Sequence, residues 1–209
     1  MKIAIVCANG KEGKLIVDEA MARGHEVTAA VRGENRSAAP RAIVKDLFDL
    51  TSEELAGFDA VVNAFGAWTP ETIPGIGASE KHLADILEGT GVRFYMVGGA
   101  GSLFTDAEHT QTVDMGSDFP GDWKPLSASH GKGLADLRKR ENLDWTYVSP
   151  ACDFQAEGER TGKYLLGGEE LLLNDRGESI ISYSDYAIAM LDLIESGEHA
   201  RERVSVVRA

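Results

Sequence analysis

Residues 1–32 read MKIAIVCANGKEGKLIVDEAMARGHEVTAAVR. Ile3-Ala4-Ile5-Val6 is a short β-branched run closed by a glycine-bearing turn, the pattern of a buried strand. From Lys14 to Arg23 the period changes. Leu15, Ile16, Ala20 and Met21 share one helical face, and Gly24 stands where a left-handed C′ residue ends a helix. Val27-Thr28-Ala29-Ala30-Val31 is a second strand. A strand, a turn, a helix and a strand within about 30 residues make one βαβ unit.

The turn inside that unit carries chemistry. Cys7-Ala8-Asn9-Gly10-Lys11-Glu12-Gly13 keeps the last two glycines of a G-x-x-G-x-x-G loop, with Cys7 in the first place. Such loops cradle a diphosphate because glycine lets the backbone approach, helix-start amides point outward, and the helix dipole favours negative charge. Cysteine carries a Cβ, so a positive φ at Cys7 would cost energy, and close approach to a ligand stays open if it keeps extended angles. Asn9 is expected to hold the turn through its side chain. Two glycines alone also fit a plain βα turn; their place after the first strand and at the opening of a helix favours the dinucleotide loop.

The second strand ends Val31-Arg32-Gly33, with Arg36 close behind. An acidic residue here accepts from ribose hydroxyls in NAD sites, whereas arginine accommodates the 2′-phosphate of NADP. Arg32 offers a planar fork for phosphate, so NADPH is expected over NADH. The other reading is a solvated arginine neutralised by Glu34.

Outward from this unit the alternation continues. Ala42–Val44 is a third strand, followed by Asp46-Leu47 and a small helix at Ser52–Ala56. Ala60–Phe65 is a fourth strand, Ser79–Glu88 a helix, Arg93–Val97 a fifth strand, Leu126–Glu141 a helix and Trp145–Val148 a sixth strand. This order predicts an α/β fold: a doubly wound parallel sheet, Rossmann-like, covered on both faces. Residues 98–123 are long, polar and rich in Asp and Gly, as functional loops are. Beyond Pro150 lie short strand signals at 164–166, 171–173 and 179–181, a helix over Ser184–Glu195 and a strand at Val204–Val207. One domain over 1–209 is expected, with 151–209 as a small C-terminal, substrate-side appendage packed over the open end of the sheet.

The 209 residues carry a net charge of −13, which argues against nucleic acid, whose backbone needs a basic surface. It also requires any phosphate site to be locally positive. No apolar run approaches the ~18 residues of a membrane span, and no leader with a cleavage site is expected. Cys7 and Cys152 form no framework or metal spacing, which fits a reducing cytoplasm. The five histidines are scattered, so no metal site is expected. With no long exposed apolar stripe, a monomer or weak homo-oligomer is expected.

Several stretches together resemble the atypical short-chain dehydrogenase/reductases, specifically the small NmrA-like NAD(P)-binding group of NADH-flavin reductase type. They are Cys7–Gly13, Gly24–Arg32, Asp46-Leu47, Val97–Ser102, Trp145–Pro150, Gly158–Gly162 and Ile181–Ala187, spread over nearly the whole chain. The resemblance implies a path for the cofactor. Gly10 and Gly13, with Cys7, Asn9, Lys11 and Glu12, would face the pyrophosphate, and Arg32 the adenosine ribose. Asp46 and Leu47 would border the adenine. Asn63 to Gly66, with Ala64 and Phe65 between, would lie under the central riboses. Ser149, Pro150 and the residues to Phe154 would approach the nicotinamide, with Gly98, Gly99 and the residues to Ser102 beneath it.

Two departures from the group's pattern matter. Cys7 replaces the first glycine, and the Tyr-x-x-x-Lys pair of typical dehydrogenases is absent: the residues four beyond the five tyrosines are Gly99, Ala151, Gly168, Ala187 and Met190. Without that acid an ordinary ketone is hard to reduce, because its alkoxide needs a proton. A conjugated, planar acceptor such as a flavin or quinone spreads the charge itself, and mainly needs stacking and geometry. Ser102 and His130 are the candidate acids, with Lys132 close by; each also reads as a strand end, a helix-start residue or a solvated charge. Cys152 reads as a buried core cysteine, and Trp68 and Phe154 as stacking partners or ordinary aromatics. The leading expectation is an NAD(P)H-dependent reductase of a small planar acceptor. A non-catalytic redox sensor and a sugar-nucleotide epimerase or dehydratase stand as alternatives.

Overall fold

The computed structural model describes residues 1–209. Ten strands and five helices follow one another as β1 (Lys2–Val6), α1 (Lys11–Ala22), β2 (Glu26–Val31), β3 (Arg41–Val44), α2 (Ser52–Leu55), β4 (Ala60–Asn63), α3 (Gly75–Leu87), β5 (Arg93–Val97), α4 (Lys124–Leu137), β6 (Trp145–Ser149), β7 (Asp153–Gln155), β8 (Tyr164–Gly167), β9 (Ile180–Ser182), α5 (Tyr183–Ser196) and β10 (Glu202–Arg208). The main sheet has the order β3-β2-β1-β4-β5-β6-β10-β8, parallel except where β8 runs antiparallel to β10. β7 and β9 form a separate parallel pair. This is the doubly wound, Rossmann-like α/β fold.

Alternation along the strands builds two cores. Ile3 and Ile5 of β1 face the layer of α1 and α5, which holds Ile16, Val17, Tyr186 and Met190. Ala4 and Val6 face the layer of α3 and α4, which holds Leu83, Leu87, Leu134 and Leu137. Successive strand residues point to opposite faces, so each strand feeds both cores at once. The chain leaves β1 for β2 and β3 on one side, then returns to β4 on the other. That reversal opens a crevice at the carboxyl ends of β1 and β4, where such sheets bind ligands.

Three local expectations change. Helix α3 starts at Gly75 rather than Ser79, because Gly75 and Gly77 are packing residues: a Cβ at Gly75 would lie 3.0 Å from the Phe65 ring, and one at Gly77 3.0 Å from the Ser129 carbonyl. Leu171–Leu173 is not a strand; the Leu171 amide donates to the Phe104 carbonyl at 2.7 Å, and the segment is tied to the 98–123 loop. Finally, α5 and β10 do not cover the open end of the sheet: β10 pairs parallel with β6, and α5 lies against α1. Of the chain beyond Ser149, it is Pro150–Phe154 and Tyr183 that reach the ligand end. No helix is long and apolar enough to cross a membrane.

Candidate active site

The glycine loop is built as a tight wedge between β1 and α1. Cys7 has φ +62°, so it does not keep extended angles. The first position of the loop demands left-handed backbone, and cysteine bears a strain of about 1–2 kcal/mol to supply it. The Gly10 amide donates to the Cys7 carbonyl at 2.9 Å, and a Cβ at Gly13 would sit 2.6 Å from that same oxygen. Only glycine lets α1 start this close to β1. The first backbone bond of α1 runs from Lys14 to Gly10, and no side chain caps the helix, so the Lys11, Glu12 and Gly13 amides donate to nothing in the protein. These free donors are what a diphosphate requires.

Asn9 braces the loop, though not within its own turn. Its side chain donates to the Glu34 carbonyl at 2.9 Å and accepts from the Arg36 amide at 2.7 Å, tying the loop to the β2–β3 connection. Burial pushes the Cys7 thiol up to about 11, against the pull of Arg32, so it is a neutral wall of the site. Cys7→Gly is expected to raise Tm by about 1–3 °C, since relief of the left-handed strain outweighs the added chain entropy. Thermal melts check this; a fall of several degrees would show that thiol packing matters more than backbone strain.

A cavity of 530 Å³ opens beside this loop. It gathers Cys7, Asn9, Gly10, Arg32, Asp46, Leu47, Ala64, Phe65 and Gly66, all anticipated from the sequence. Arg36, Lys45 and Glu34 join them, so three basic side chains stand with two acidic ones on the cavity wall. Lys45 is paired with Glu54 at 2.9 Å, whereas Arg32 is exposed and forms no ion pair with Glu34. Asp46 uses its carboxylate to accept from the Phe48 amide at 3.0 Å. Lys11 points away to Glu157, at 3.5 Å. Glu12 must be corrected as a side-chain ligand: it is 7% exposed, both carboxyl oxygens lack partners, and burial lifts its pKa well above the carboxylate range. Its contribution to the loop is the amide.

A second cavity of 640 Å³ lies at the ends of β5 and β6; Trp68 on its wall is two residues beyond Gly66 of the first. Its walls are aromatic: Trp68, Phe119, Trp123, Phe154 and Tyr183. Phe154 packs on Tyr183 with ring centroids 4.0 Å apart, while Trp68 is 70% exposed at the mouth. Gly98, Gly99 and Pro150 line it as expected. A Cβ at Gly98 would fall 2.3 Å from the Tyr147 ring, and one at Gly99 2.9 Å from the His130 ring, so these glycines admit two larger side chains. Cys152 is exposed on the cavity wall, not a core residue.

His130 faces this cavity, whereas Ser102 does not. The Ser102 hydroxyl accepts from Arg203 at 2.8 Å, and its carbonyl accepts from the same guanidinium at 2.8 Å. Ser149 is fully buried, donating to the Gly99 carbonyl and accepting from Arg203, each at 2.9 Å. Both serines anchor strand ends to Arg203, which removes Ser102 as an acid. Behind His130, its Nδ1 lies 3.2 Å from the Tyr147 hydroxyl and 3.4 Å from a carboxyl oxygen of Glu80. Glu80 was missed from sequence. Its one signal was a charge on the apolar stripe of Ile76, Leu83, Ala84 and Leu87. Among His, Cys, Asp and Glu side chains, no group of three is placed to hold a metal ion.

Comparison with known proteins agrees with this geometry. A family model described as NAD(P)H-binding matches residues 7–196. The uncharacterized protein YwnB of Bacillus subtilis is 42% identical over 209 residues, covering 99% of this chain and 98% of that protein. A solved structure of a candidate NADH-flavin reductase from Streptococcus pneumoniae superposes with a TM-score of 0.97 at 50% identity, over 100% of both chains. A candidate epimerase from Bacteroides thetaiotaomicron gives 0.85 at 35% identity, over 99% of this chain and 96% of the other. The chain therefore belongs to the NAD(P)H-binding family.

Proposed function

We propose that this protein is an NADPH-dependent reductase of a small planar, conjugated acceptor of flavin or quinone type. The carrying observation is a pair of cavities at the carboxyl ends of the strands, one beside the free helix-start amides and lined by an unpaired arginine, the other aromatic and bearing His130. The residues fit a dinucleotide: the Lys11–Gly13 amides would hold the diphosphate, Arg32 the 2′-phosphate, and Leu47 the adenine. Bound there, a reduced nicotinamide supplies hydride. The chain's own part is to orient, to exclude water and to hold a proton on His130 at the cavity wall. The aromatic walls suit a flat acceptor by stacking. The lack of a Tyr-x-x-x-Lys pair disfavours simple ketones and nucleotide-sugar chemistry alike.

The test is steady-state oxidation of NADPH and NADH with FMN, a naphthoquinone and an aldehyde. Turnover is expected with FMN or the quinone and not with the aldehyde. NADPH binding without turnover on any acceptor would make the protein a non-catalytic sensor. Arg32→Ala is expected to raise the KM for NADPH about 10–100-fold, the worth of a charged hydrogen-bonded pair, with little change for NADH. Equal losses for both would remove Arg32 from the 2′-phosphate.

A further inference from the structure

A buried carboxyl sits behind His130. Glu80 is 0% exposed, and neither carboxyl oxygen has a hydrogen-bond partner. It lies on the face that α3 turns to α4, and α4 has been hollowed to receive it: a Cβ at Gly133 would fall 1.4 Å from one of its oxygens. Removing a carboxylate from water without hydrogen bonds is costly, and an apolar residue would fill this stripe more cheaply. The group it approaches is the imidazole of His130, one turn before Gly133 on α4, at 3.4 Å from Nδ1. Burial raises the carboxyl above its usual range, and the histidine opposes that rise.

We propose that Glu80 is a positioning residue for His130: the buried carboxyl, set 3.4 Å from Nδ1, fixes the ring so that Nε2 faces the acceptor cavity and the site delivers a proton to quinone-type carbonyl acceptors. This rests on the reductase reading above. The geometry gives each ring nitrogen a different task. Nδ1 faces Glu80 and the Tyr147 hydroxyl, while Nε2 has no partner in the protein and the ring lines the cavity. Tyr147 is already fixed, since its oxygen accepts from the Gly99 amide at 3.0 Å. The other charged or titratable groups around the cluster are Asp136 on α4, Arg138 just beyond it, Tyr186 on α5 and Arg203 on β10, 5.8 Å from the centre of the Tyr147 ring, while Asp118, Cys152, Asp153 and Tyr183 line the same cavity as His130.

The step balances without a further reactant. As a quinone takes a hydride from the reduced nicotinamide, the electron pair ends on a quinone oxygen. An O–H bond forms there while the Nε2–H bond of His130 breaks. The quinone is reduced, the nicotinamide is oxidised, and the neutral imidazole regains its proton from water. A flavin needs less of this help, because it spreads the charge over its own rings. The pair therefore matters most where the acceptor's oxygen becomes basic.

Two readouts test the role. In the full ligand-free chain above neutral pH, nitrogen-15 spectra of the His130 ring are expected to show the proton on Nδ1. In Glu80→Leu, which fills the pocket with an apolar side chain, the proton should move to Nε2 as Nδ1 accepts from Tyr147. In Glu80→Gln, with NADPH and 2-methyl-1,4-naphthoquinone, kcat is expected to fall roughly tenfold, with the KM for NADPH unchanged and the rate with FMN little changed. A wild-type ring carrying its proton on Nε2 overturns the proposal, even if neither variant folds. So does a Glu80→Gln enzyme that melts lower yet keeps the wild-type kcat with the quinone, since that is a merely structural residue. Wild-type protein that reduces neither quinone nor flavin overturns the reductase reading itself, and proton delivery with it.

Discussion

Gly13→Ala is expected to weaken NADPH binding about 100-fold and to lower Tm by about 5–10 °C, the largest loss available from a single methyl group here. The reason is steric and local. The added Cβ would lie 2.6 Å from the Cys7 carbonyl oxygen and 3.0 Å from the Ala8 Cα. Both are backbone atoms, so no rotamer change relieves the clash and α1 must lift from β1. That shift moves the amides of residues 11–13 away from the position where they converge on a diphosphate. Calorimetric titration with NADPH beside a thermal melt separates the two effects. Lost stability with undiminished affinity would mean that the anion is held elsewhere, and the loop would revert to a plain turn. Gly10→Ala, whose Cβ would meet the same oxygen at 3.2 Å, is the milder comparison and should show both effects at smaller size.

The same loop shows how far the sequence could be read. Strand and helix periods in the first half are sharp because parallel strands buried on both faces are nearly all apolar, and β1 to β6 sit where that pattern puts them. The cavity beside the glycine loop is also legible, since its residues follow strand ends in a doubly wound sheet. Errors arose where a partner is distant in the chain. Ser102 and Ser149 read as site residues, yet Arg203 on the last strand claims both hydroxyls. Gly75 and Gly77 read as loop residues, whereas Phe65 and Ser129 need their missing side chains. A positive φ at Cys7 read as costly, but the wedge between β1 and α1 dictates its φ more strongly than its own Cβ resists. Glu80 was invisible as chemistry, because its partners His130 and Gly133 lie on another helix. Non-local packing of this kind leaves no trace in residue spacing.

His130→Gln is expected to lower kcat with a quinone by about 10²–10⁴-fold, the usual worth of a positioned general acid, while NADPH affinity changes little. Glutamine retains much of the ring's reach but cannot carry the proton. With only water left as the proton source, the residual rate with the quinone should be low. Reduction of FMN is the internal control. The flavin ring system delocalises the incoming charge and takes its proton from solvent, so its rate should fall far less than the quinone's. The variant also leaves Glu80 buried beside a neutral group, at a stability cost of about 1–3 kcal/mol, so rates are to be compared well below its melting point. Equal losses with quinone and flavin would mean that His130 shapes the cavity against Gly99 and Tyr147 without moving a proton. A loss confined to the quinone would identify it as the residue that does the work of the absent tyrosine, and would explain why a buried carboxylate is tolerated behind it.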